Sequence, residues 1–352
     1  AGSELGLSGA ACLPPHFLDG MELGAVGGGP RVTIAEHPGE SGMVRLVGPL
    51  PTGLAAGDVV ELRAGDAAPL LAARLVTGTP AGAELPPLAM RLATTIGTNA
   101  LLERRGARTV HFTTAGFEDL LAIGDQRRPE LFKLRIERPA PLPELVVGVR
   151  ERLAADGSVL EALDRGHLEA LIGELRGRGF ASASVALLHG HRNPVHELAV
   201  EGMLLAAGFG HVARSSALSP FQGLLRRSQT VAVDAYLGPV IGDYLHAVEK
   251  GLGPRAGLHV MTSAGGLVRA AGFHPKDSLL SGPAGGVVGA AAAGRAAGTK
   301  RVIAFDMGGT STDVARFDGD FEYVFSHRVG GVDLAAPALA IETVAAGGGS
   351  IC

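Results

Sequence analysis

Tryptophan is absent from this sequence of 352 residues, and aromatic residues make up only 4% of it. Proteins that bind single-stranded nucleic acid or sugars commonly stack the ligand on aromatic rings, so this scarcity disfavours both kinds of ligand. Cysteine is also scarce. Cys12 and Cys352 stand near opposite ends of the chain, and their spacing fits neither a zinc site nor a disulfide framework. We therefore expect a reducing, cytoplasmic setting.

Long apolar runs and basic clusters are missing as well. No run reaches the roughly 20 apolar residues that cross a membrane, and the N-terminal region lacks the basic and apolar parts of a signal peptide. The formal net charge is −4, and the pairs Arg127-Arg128 and Arg226-Arg227 are too short to form a basic stripe. We therefore predict that neither nucleic acid nor a membrane is a partner.

The rest of the composition is that of a globular protein, with 46% hydrophobic and 19% charged residues, and the length allows two domains. Residues 1–90 contain short alternating stretches separated by glycine and proline, which predicts a β-rich segment. From Thr94 helical and strand patterns alternate, as in an α/β domain, with a boundary near residues 215–229. The predicted helices cover residues 99–105, 116–123, 167–178, 230–250 and 287–297. The predicted strands cover residues 109–113, 183–188 and 258–262, and a further strand begins at Val302.

The most specific motif runs from Val302 to Val314, where an apolar strand leads into an acid, two glycines and three hydroxyl residues. Glycine lets an anion approach the backbone closely, amides and hydroxyls can bind phosphate oxygens, and either flanking aspartate can hold hydrated magnesium. The alternative is a tight β-hairpin whose glycines and hydroxyls serve only the turn. The predicted phosphate-binding residues are Gly308, Gly309, Thr310, Ser311 and Thr312, and the predicted magnesium ligand is Asp306.

Other nucleotide motifs are missing, but two further glycine clusters are present. No P-loop occurs, and no Gly-x-Gly-x-x-Gly opens a helix in a convincing βαβ context. Ser281–Gly286 precedes a predicted helix, whose N-terminus attracts anions, so Gly282, Gly285 and Gly286 are further candidate phosphate contacts. The alternative for them is a tight connection in which glycine allows close helix packing. Gly347–Ser350 is either an ordered motif after a strand or a flexible tail.

A polar cluster of His189, His191, Asn193 and His196 raises the question of a metal site. Zinc sites gather three or four ligands, whereas a strand end that leads through Asn193-Pro194 into a helix explains these residues as a turn and a cap. We favour the turn and cap. No Ser-His-Asp or Cys-His arrangement stands out by spacing.

Six stretches of the sequence together resemble the hydantoinase A/oxoprolinase family, most closely its 5-oxoprolinase-like members. They occur in the family's order and cover roughly residues 90–352. They begin at Thr94, Thr113, Ala186, Ser281, Phe305 and Thr343, with the sequences TTIGTNALLERRG, TTAGFEDLLAIG, ALLHGHRNPVHE, SGPAGGVVG, FDMGGTSTDV and TVAAGGGS.

The resemblance implies an α/β fold of the actin-like ATPase type, in which two RNase H-like lobes close on ATP and Mg²⁺. Residues 91–220 would belong to the N-terminal lobe and residues 221–352 to the first part of the ATPase lobe. ATP would phosphorylate the carbonyl oxygen of a cyclic amide, and water would then open the activated ring. In that chemistry Asp306 and Asp313 would be the catalytic residues. The resemblance also implies a hydantoinase B-type subunit or domain as partner, and an oligomer.

Two parts of the family pattern are not found in the sequence. No Asp-x-Gly-Gly-Thr-Phe-Thr-Asp loop, which supplies the first phosphate hairpin, occurs before Thr94, and no glycine-rich adenosine-binding segment follows before Cys352. We therefore expect a partial chain that is inactive alone. Two alternatives stay open: a carboxylase subunit of the same family, in which ATP activates bicarbonate or a ketone, and a non-catalytic fragment that binds a nucleotide or a partner.

Overall fold

The computed structural model describes residues 3–39, 41–125, 132–134, 140–309 and 311–350. Thr310 of the predicted phosphate site, the Arg127-Arg128 pair and Cys352 lie outside these residues. The chain divides into two compact units. One consists of the residues up to Leu92 with Tyr244–His259, and the other consists of Ala93–Asp243 with the residues from Val260 onward. The division into lobes over residues 91–220 and 221–352 stays a prediction.

The first unit is built on an antiparallel sheet with the strand order β1-β4-β3-β2-β5. Apolar side chains alternate along its strands, and Leu23, Ile34 and Leu46 are almost completely buried on one face. The β-rich segment predicted for the N-terminal residues is therefore confirmed. Its elements are β1 (Glu4–Gly6), β2 (Glu22–Ala25), β3 (Arg31–Glu36), β4 (Met43–Leu46), β5 (Val60–Arg63), α1 (Ala68–Thr77) and β6 (Ala89–Leu92).

The next part of the chain forms a parallel sheet with the strand order β12-β11-β7-β8. All six residues of β7 are buried because the sheet is covered on both faces. On one face Phe112 packs with Leu168 and Ile172 of α4 and with Leu204 of α5. The elements are α2 (Ile96–Leu102), β7 (Thr109–Thr114), α3 (Leu120–Ile123), β8 (Leu145–Val149), β9 (Arg152–Leu153), β10 (Val159–Glu161), α4 (Arg165–Gly177), β11 (Ser182–Ala186), α5 (Val195–Ala206), β12 (His211–Arg214) and α6 (Ser215–Leu218).

A second sheet of the same unit is antiparallel, with the strand order β15-β16-β17 and with β22 paired to β16. Small residues of α8 pack on one face of this sheet, where Ala284 and Val287 join Ala315 in one apolar cluster. The remaining elements are α7 (Leu224–Leu252), β13 (Gly257–Met261), β14 (Leu267–Arg269), α8 (Ser281–Ala296), β15 (Arg301–Met307), β16 (Thr312–Asp318), β17 (Asp320–Phe321), β18 (Tyr323–Val324), β19 (His327–Val329), β20 (Val332–Leu334), β21 (Ala338–Leu339) and β22 (Glu342–Val344).

Several element boundaries differ from those predicted. The predicted helix over residues 116–123 is helical only from Leu120, because the residues before it form a turn closed by the Phe117 N–H and the Thr114 carbonyl. Helix α7 begins at Leu224, before the predicted start at residue 230, and it continues through Pro239. Among the described residues, no helix has both the length and the apolar character needed to cross a membrane.

Candidate functional site

The predicted phosphate hairpin is present as the antiparallel strands β15 and β16, joined by a turn from Gly308 to Ser311. The Gly308 N–H donates to the Ser311 carbonyl at 2.9 Å, which closes the turn. Asp306 lies directly opposite Asp313 in the register of the two strands. Directly opposed residues place their side chains on the same face of a sheet. The two predicted acids are therefore neighbours.

The face of the sheet that carries the two aspartates changes from apolar to polar along the strands. Ala304 is paired with Ala315 on this face, and both lie in the apolar cluster under α8. Two residues further along β15, the corresponding row consists of Asp306, Asp313 and, on the adjacent strand β22, Thr343. We call these three residues the polar row. Because the apolar layer beside it fixes all three strands, the polar row occupies a defined place at the edge of the core.

Thr343 distinguishes the two aspartates from each other. Its hydroxyl donates to Asp313 Oδ1 at 2.6 Å, and Asp313 is half-buried. Asp306 is exposed, and its carboxylate makes no hydrogen bond or ion pair within the described residues. Asp313 is thus held in position while Asp306 is available to a ligand. Sequence analysis missed Thr343, although the residue opens one of the family-like stretches, because its role depends on the register between β22 and β16.

Helix α8 begins at Ser281, well before the predicted start at residue 287, so the predicted loop glycines lie within its first two turns. A Cβ atom on Gly282 would lie 2.7 Å from Thr95 Cγ2, and one on Gly285 would lie 2.7 Å from Ala93 Cβ. Both positions therefore require glycine for close packing. A Cβ on Gly286 would meet nothing within 4 Å. The close-packing alternative accounts for the first two glycines, and a phosphate-binding role for all three stays a prediction.

The N-terminus of α8 lies at the same end of the sheet as the polar row. Gly294, near the end of the helix, packs against Val302 at the start of β15, whereas Ala284 packs in the cluster that contains Ala304. The helix therefore runs antiparallel to β15, and its first turn extends toward Asp306. The free N–H groups and the positive dipole end of a helix favour an anion at this end.

The glycine loop from Gly347 to Ser350 is bound to the hairpin turn. The Gly348 N–H donates to the Gly308 carbonyl and the Gly349 N–H to the Gly309 carbonyl, both at 2.9 Å. A Cβ on Gly349 would lie 3.0 Å from the Gly309 oxygen, so this contact requires glycine. The alternative of a flexible tail is therefore wrong for this loop. A Cβ atom on Gly309 would meet nothing within 4 Å, so the turn is open on the side where that Cβ would lie.

The carboxylates of the hairpin fit a magnesium ion, and one of its hydroxyls is free to bind phosphate. Like charges placed directly opposite each other destabilise a sheet, and a cation beside Asp306 and Asp313 would remove that cost. Magnesium commonly takes one or two carboxylates and keeps water and phosphate oxygens as its other ligands. The Ser311 hydroxyl makes no hydrogen bond within the described residues, whereas the Thr312 hydroxyl donates to the Ala346 carbonyl at 2.6 Å. Thr312 therefore ties the glycine loop to β16, and of these two described hydroxyls that of Ser311 is free for a phosphate.

The histidine cluster after β11 is not organised as a metal site. Across the described ranges, no group of three or more His, Cys, Asp or Glu residues could hold a metal ion. Asn193 Oδ1 accepts from the Val195 N–H at 3.1 Å, as in an Asx turn, and the N-cap of α5 is Pro194, without a side-chain cap. His196 Nδ1 lies 2.6 Å from the buried Glu151 carboxylate. Burial lowers the pKa of His191, and the Arg227 guanidinium lowers it further. The predicted turn therefore accounts for Asn193, whereas no side chain caps α5.

Comparisons with known proteins identify the same family that the six sequence stretches resemble. A family model described as hydantoinase/oxoprolinase matches residues 227–352, and one for the hydantoinase/oxoprolinase N-terminal region matches residues 81–208. The chain is 41% identical over 284 residues to 5-oxoprolinase 1 of Arabidopsis thaliana, which covers 74% of this chain but 22% of that protein. This chain thus spans less than a quarter of the length of that relative.

Two solved structures have the same fold. Nucleotide-free acetone carboxylase superimposes with a TM-score of 0.63 at 23% identity, over 73% of this chain and 39% of the other. ATP-dependent caprolactamase from Pseudomonas jessenii also gives 0.63, at 26% identity, over 74% of this chain and 39% of the other. The actin-like ATPase fold predicted from the sequence is therefore confirmed. The two family models cover more than two thirds of the sequence between them, and the chain belongs to the hydantoinase/oxoprolinase family.

Proposed function

We propose that this chain is part of an ATP-dependent hydrolase of cyclic amides of the 5-oxoproline or hydantoin type. The observation that carries the proposal is the polar row, where two opposed carboxylates lie beside a glycine turn and toward the first turn of α8. Family membership and the similarity to a 5-oxoprolinase support the choice of a cyclic amide. The similarity to an ATP-dependent caprolactamase supports ATP as the second substrate.

The residues of the hairpin receive separate roles. Asp306 would hold the magnesium ion, because its carboxylate is exposed and unpaired within the described residues. Asp313 would order the hairpin or a water molecule, because Thr343 already holds it. The phosphates would contact the turn, through the open side of Gly309 and the hydroxyl of Ser311. The complete proposed set for the phosphates is Gly308, Gly309, Thr310, Ser311 and Thr312, with Gly282, Gly285 and Gly286 of α8.

The chemistry follows from the poor electrophilicity of an amide. ATP, bound with Mg²⁺, would transfer its γ-phosphoryl group to the ring carbonyl oxygen and leave as ADP. One water would then add to the activated carbon and the C–N bond would break, which gives an amine and an acyl phosphate, and a second water would hydrolyse the acyl phosphate to a carboxylate and phosphate. The contribution of this chain is to position the triphosphate. The amides at the α8 N-terminus and at the glycine turn would offset charge on the transferring group, and Asp306 would fix the cation beside it.

The proposal includes a partner and a setting. Ring opening would require a hydantoinase B-type subunit or domain, in an oligomer located in the cytoplasm. A second candidate function is that of an ATP-dependent carboxylase subunit, and one of the two structures that share the fold, acetone carboxylase, is such an enzyme. Both functions would use the same polar row, so the distinction between them lies in the substrate.

Phosphate release from Mg-ATP tests the proposal. Release would be compared with 5-oxoproline, hydantoin, and acetone plus bicarbonate, using a complete subunit that contains this chain, together with a hydantoinase B-type partner. We expect release only with a cyclic amide, and its loss in Asp306→Ala. Release only with ketone and bicarbonate would establish the carboxylase instead. Undiminished release in Asp306→Ala would refute the assignment of the polar row.

A further inference from the structure

Helix α2 and the threonines before it pack closely against the start of α8. A Cβ on Gly97 would lie 1.9 Å from Ser278 Oγ, and one on Gly282 would lie 2.7 Å from Thr95 Cγ2. Gly282 belongs to the first turn of α8, which extends toward Asp306. Thr95 therefore lies beside the anion-binding end of that helix, and the polar side chains at the start of α2 border the proposed phosphate site.

Most polar groups at the start of α2 are committed to this packing. The Thr94 N–H donates to Ser281 Oγ at 3.2 Å, and Thr94 Oγ1 accepts from the Ile96 N–H at 3.2 Å. The Thr98 hydroxyl donates to the Leu279 carbonyl. These contacts explain Thr94 and Thr98 as residues that cap α2 and fix it to the segment leading into α8.

Asn99 has no such structural role. Its side chain is exposed, and its carboxamide makes no hydrogen bond within the described residues. Side chains of a helix lean toward its N-terminus, and residues four apart lie on the same face with their Cβ atoms about 5–6 Å apart. Asn99 therefore leans toward Thr95 and the start of α8. Glu103, one turn further on this face, already pairs with Arg105 at 3.0 Å.

A carboxamide matches one chemical feature that cyclic amides share. A small ring forces the amide bond to be cis, so the N–H and C=O groups lie on the same edge of the ring. In an open-chain secondary amide the trans form, favoured by about 2.5 kcal/mol, places them on opposite sides. Asparagine carries an acceptor oxygen and a donor NH₂ group side by side, so it can form two parallel hydrogen bonds with a cis amide.

The same pairing leaves the ring carbonyl oxygen available for the proposed reaction. A carbonyl oxygen has two lone pairs, so one can accept from Asn99 Nδ2 while the other faces the γ-phosphoryl group. As the oxygen takes up the phosphoryl group, positive charge develops on the ring nitrogen. Asn99 Oδ1, which accepts from the ring N–H, would offset this charge.

We propose that Asn99 is a specificity-determining residue that recognises the cis amide edge of the substrate ring. The identification of the ligand as a cyclic amide rests on the proposed function. The requirement for an unsubstituted ring N–H rests on Asn99, which lies one helical turn from the contact between Thr95 and Gly282. The site therefore selects lactams with a free N–H over N-substituted lactams and over ketones.

Isothermal titration calorimetry with two ligands and two proteins tests the proposal. 5-Oxoproline and N-methyl-5-oxoproline differ only at the ring nitrogen. Both would be titrated into a complete subunit that contains this chain, in the presence of Mg²⁺ and a non-hydrolysable ATP analogue. We expect the methyl group to weaken binding at least about tenfold in the unmodified subunit, which corresponds to about 1.4 kcal/mol. In Asn99→Leu the two ligands should bind within about twofold of each other, because leucine cannot form either hydrogen bond.

A purely steric effect of the methyl group gives a different result. It would leave the tenfold difference unchanged in Asn99→Leu. That result, equal affinities in the unmodified subunit, or no binding of 5-oxoproline would each overturn the proposal. Glu103→Gln, on the same face of α2, is the matched control and should bind both ligands as the unmodified subunit does. If circular dichroism shows that Asn99→Leu is misfolded, Asn99→Ala replaces it, because alanine favours the helix and also lacks the carboxamide.

The proposed function can fail separately from this inference. Binding of 5-oxoproline that depends on Asn99, without phosphate release from Mg-ATP when the hydantoinase B-type partner is present, would overturn the proposed function alone. Phosphate release that N-methyl-5-oxoproline supports as well as 5-oxoproline does would overturn the role of Asn99 alone.

Discussion

His111 gives a prediction whose magnitude follows directly from the structure. The residue lies in the middle of β7, is 1% exposed, and has Nδ1 at 2.9 Å from the Ser184 hydroxyl of the neighbouring strand. Its Nε2 finds no hydrogen-bond partner within the described residues. Burial therefore lowers the pKa of His111 from about 6.5 to about 3. The folded chain keeps this imidazole neutral in mildly acidic solution, while the unfolded chain protonates it.

The sign of the effect is a loss of stability as the pH falls. The pKa of His111 is lower in the folded chain than in the unfolded chain. The stability that comes from the neutral imidazole is therefore fully present above pH 6.5 and is lost progressively down to about pH 3. At pH 5, protonation of an unfolded histidine with a pKa of about 6.5 stabilises the unfolded state by about 2 kcal/mol. At pH 7 the same quantity is only about 0.2 kcal/mol. Between pH 7 and pH 5, this one residue therefore lowers the free energy of unfolding by about 2 kcal/mol.

His111→Asn isolates that contribution. The amide of asparagine can replace the hydrogen bond of Nδ1 to Ser184 but does not titrate, and all other groups titrate equally in both proteins. Urea unfolding would be followed by circular dichroism at pH 7 and pH 5. We expect the unmodified chain to lose about 2 kcal/mol more than the variant between the two pH values. An equal loss in the two proteins would refute the assignment of a neutral, buried imidazole.

Three further substitutions test one buried ion pair and two contacts that shape the proposed nucleotide site. Glu197→Gln leaves a buried guanidinium without its carboxylate partner, so urea unfolding should show a loss of about 3–5 kcal/mol. Gly349→Ala forces a Cβ to within 3.0 Å of the Gly309 oxygen, so calorimetric titration should show weaker Mg-ATP binding, whereas Gly348→Ala meets the turn at 3.8 Å and should not. Thr343→Val removes a hydrogen bond without changing the shape, and should weaken Mg-ATP binding about three- to tenfold.

Each of these expectations has a contradicting result. Glu201→Gln is the control for the buried acid, because Glu201 forms a partly exposed pair with Arg214, and equal destabilisation of the two variants would remove the special role of burial. Equal nucleotide affinity of the two glycine variants would show that the loop contact does not shape the site. Unchanged Mg-ATP affinity in Thr343→Val would show that the hydrogen bond from Thr343 to Asp313 does not contribute to nucleotide binding.

Local sequence predicted the hairpin but not the site around it. An apolar run followed by two glycines is a local signal, and β15 and the turn at Gly308 formed as predicted. The polar row depends on the register of three strands, one of which lies about thirty residues further along the chain. Thr343 joins the row through that pairing, and no pattern within a single segment contains this information.

Helix α8 was predicted, but its predicted start at residue 287 was wrong for a physical reason. Glycine and proline disfavour helix in isolation, so the sequence pattern placed Ser281–Gly286 in a loop. In the folded chain Gly282 and Gly285 let the helix approach Thr95 and Ala93 closely, and this packing offsets their low propensity.

Binding of Mg-ATP by the polar row is the central claim, and one measurement tests it most directly. Calorimetric titration of Mg-ATP would compare the unmodified chain, Asp306→Ala and Asp320→Ala. Asp320 is also an exposed aspartate of the same sheet, but it lies in β17, away from the turn. We predict that Asp306→Ala binds at least about tenfold more weakly, because it lacks the magnesium ligand, and that Asp320→Ala binds normally. Equal affinity in all three proteins would contradict the account.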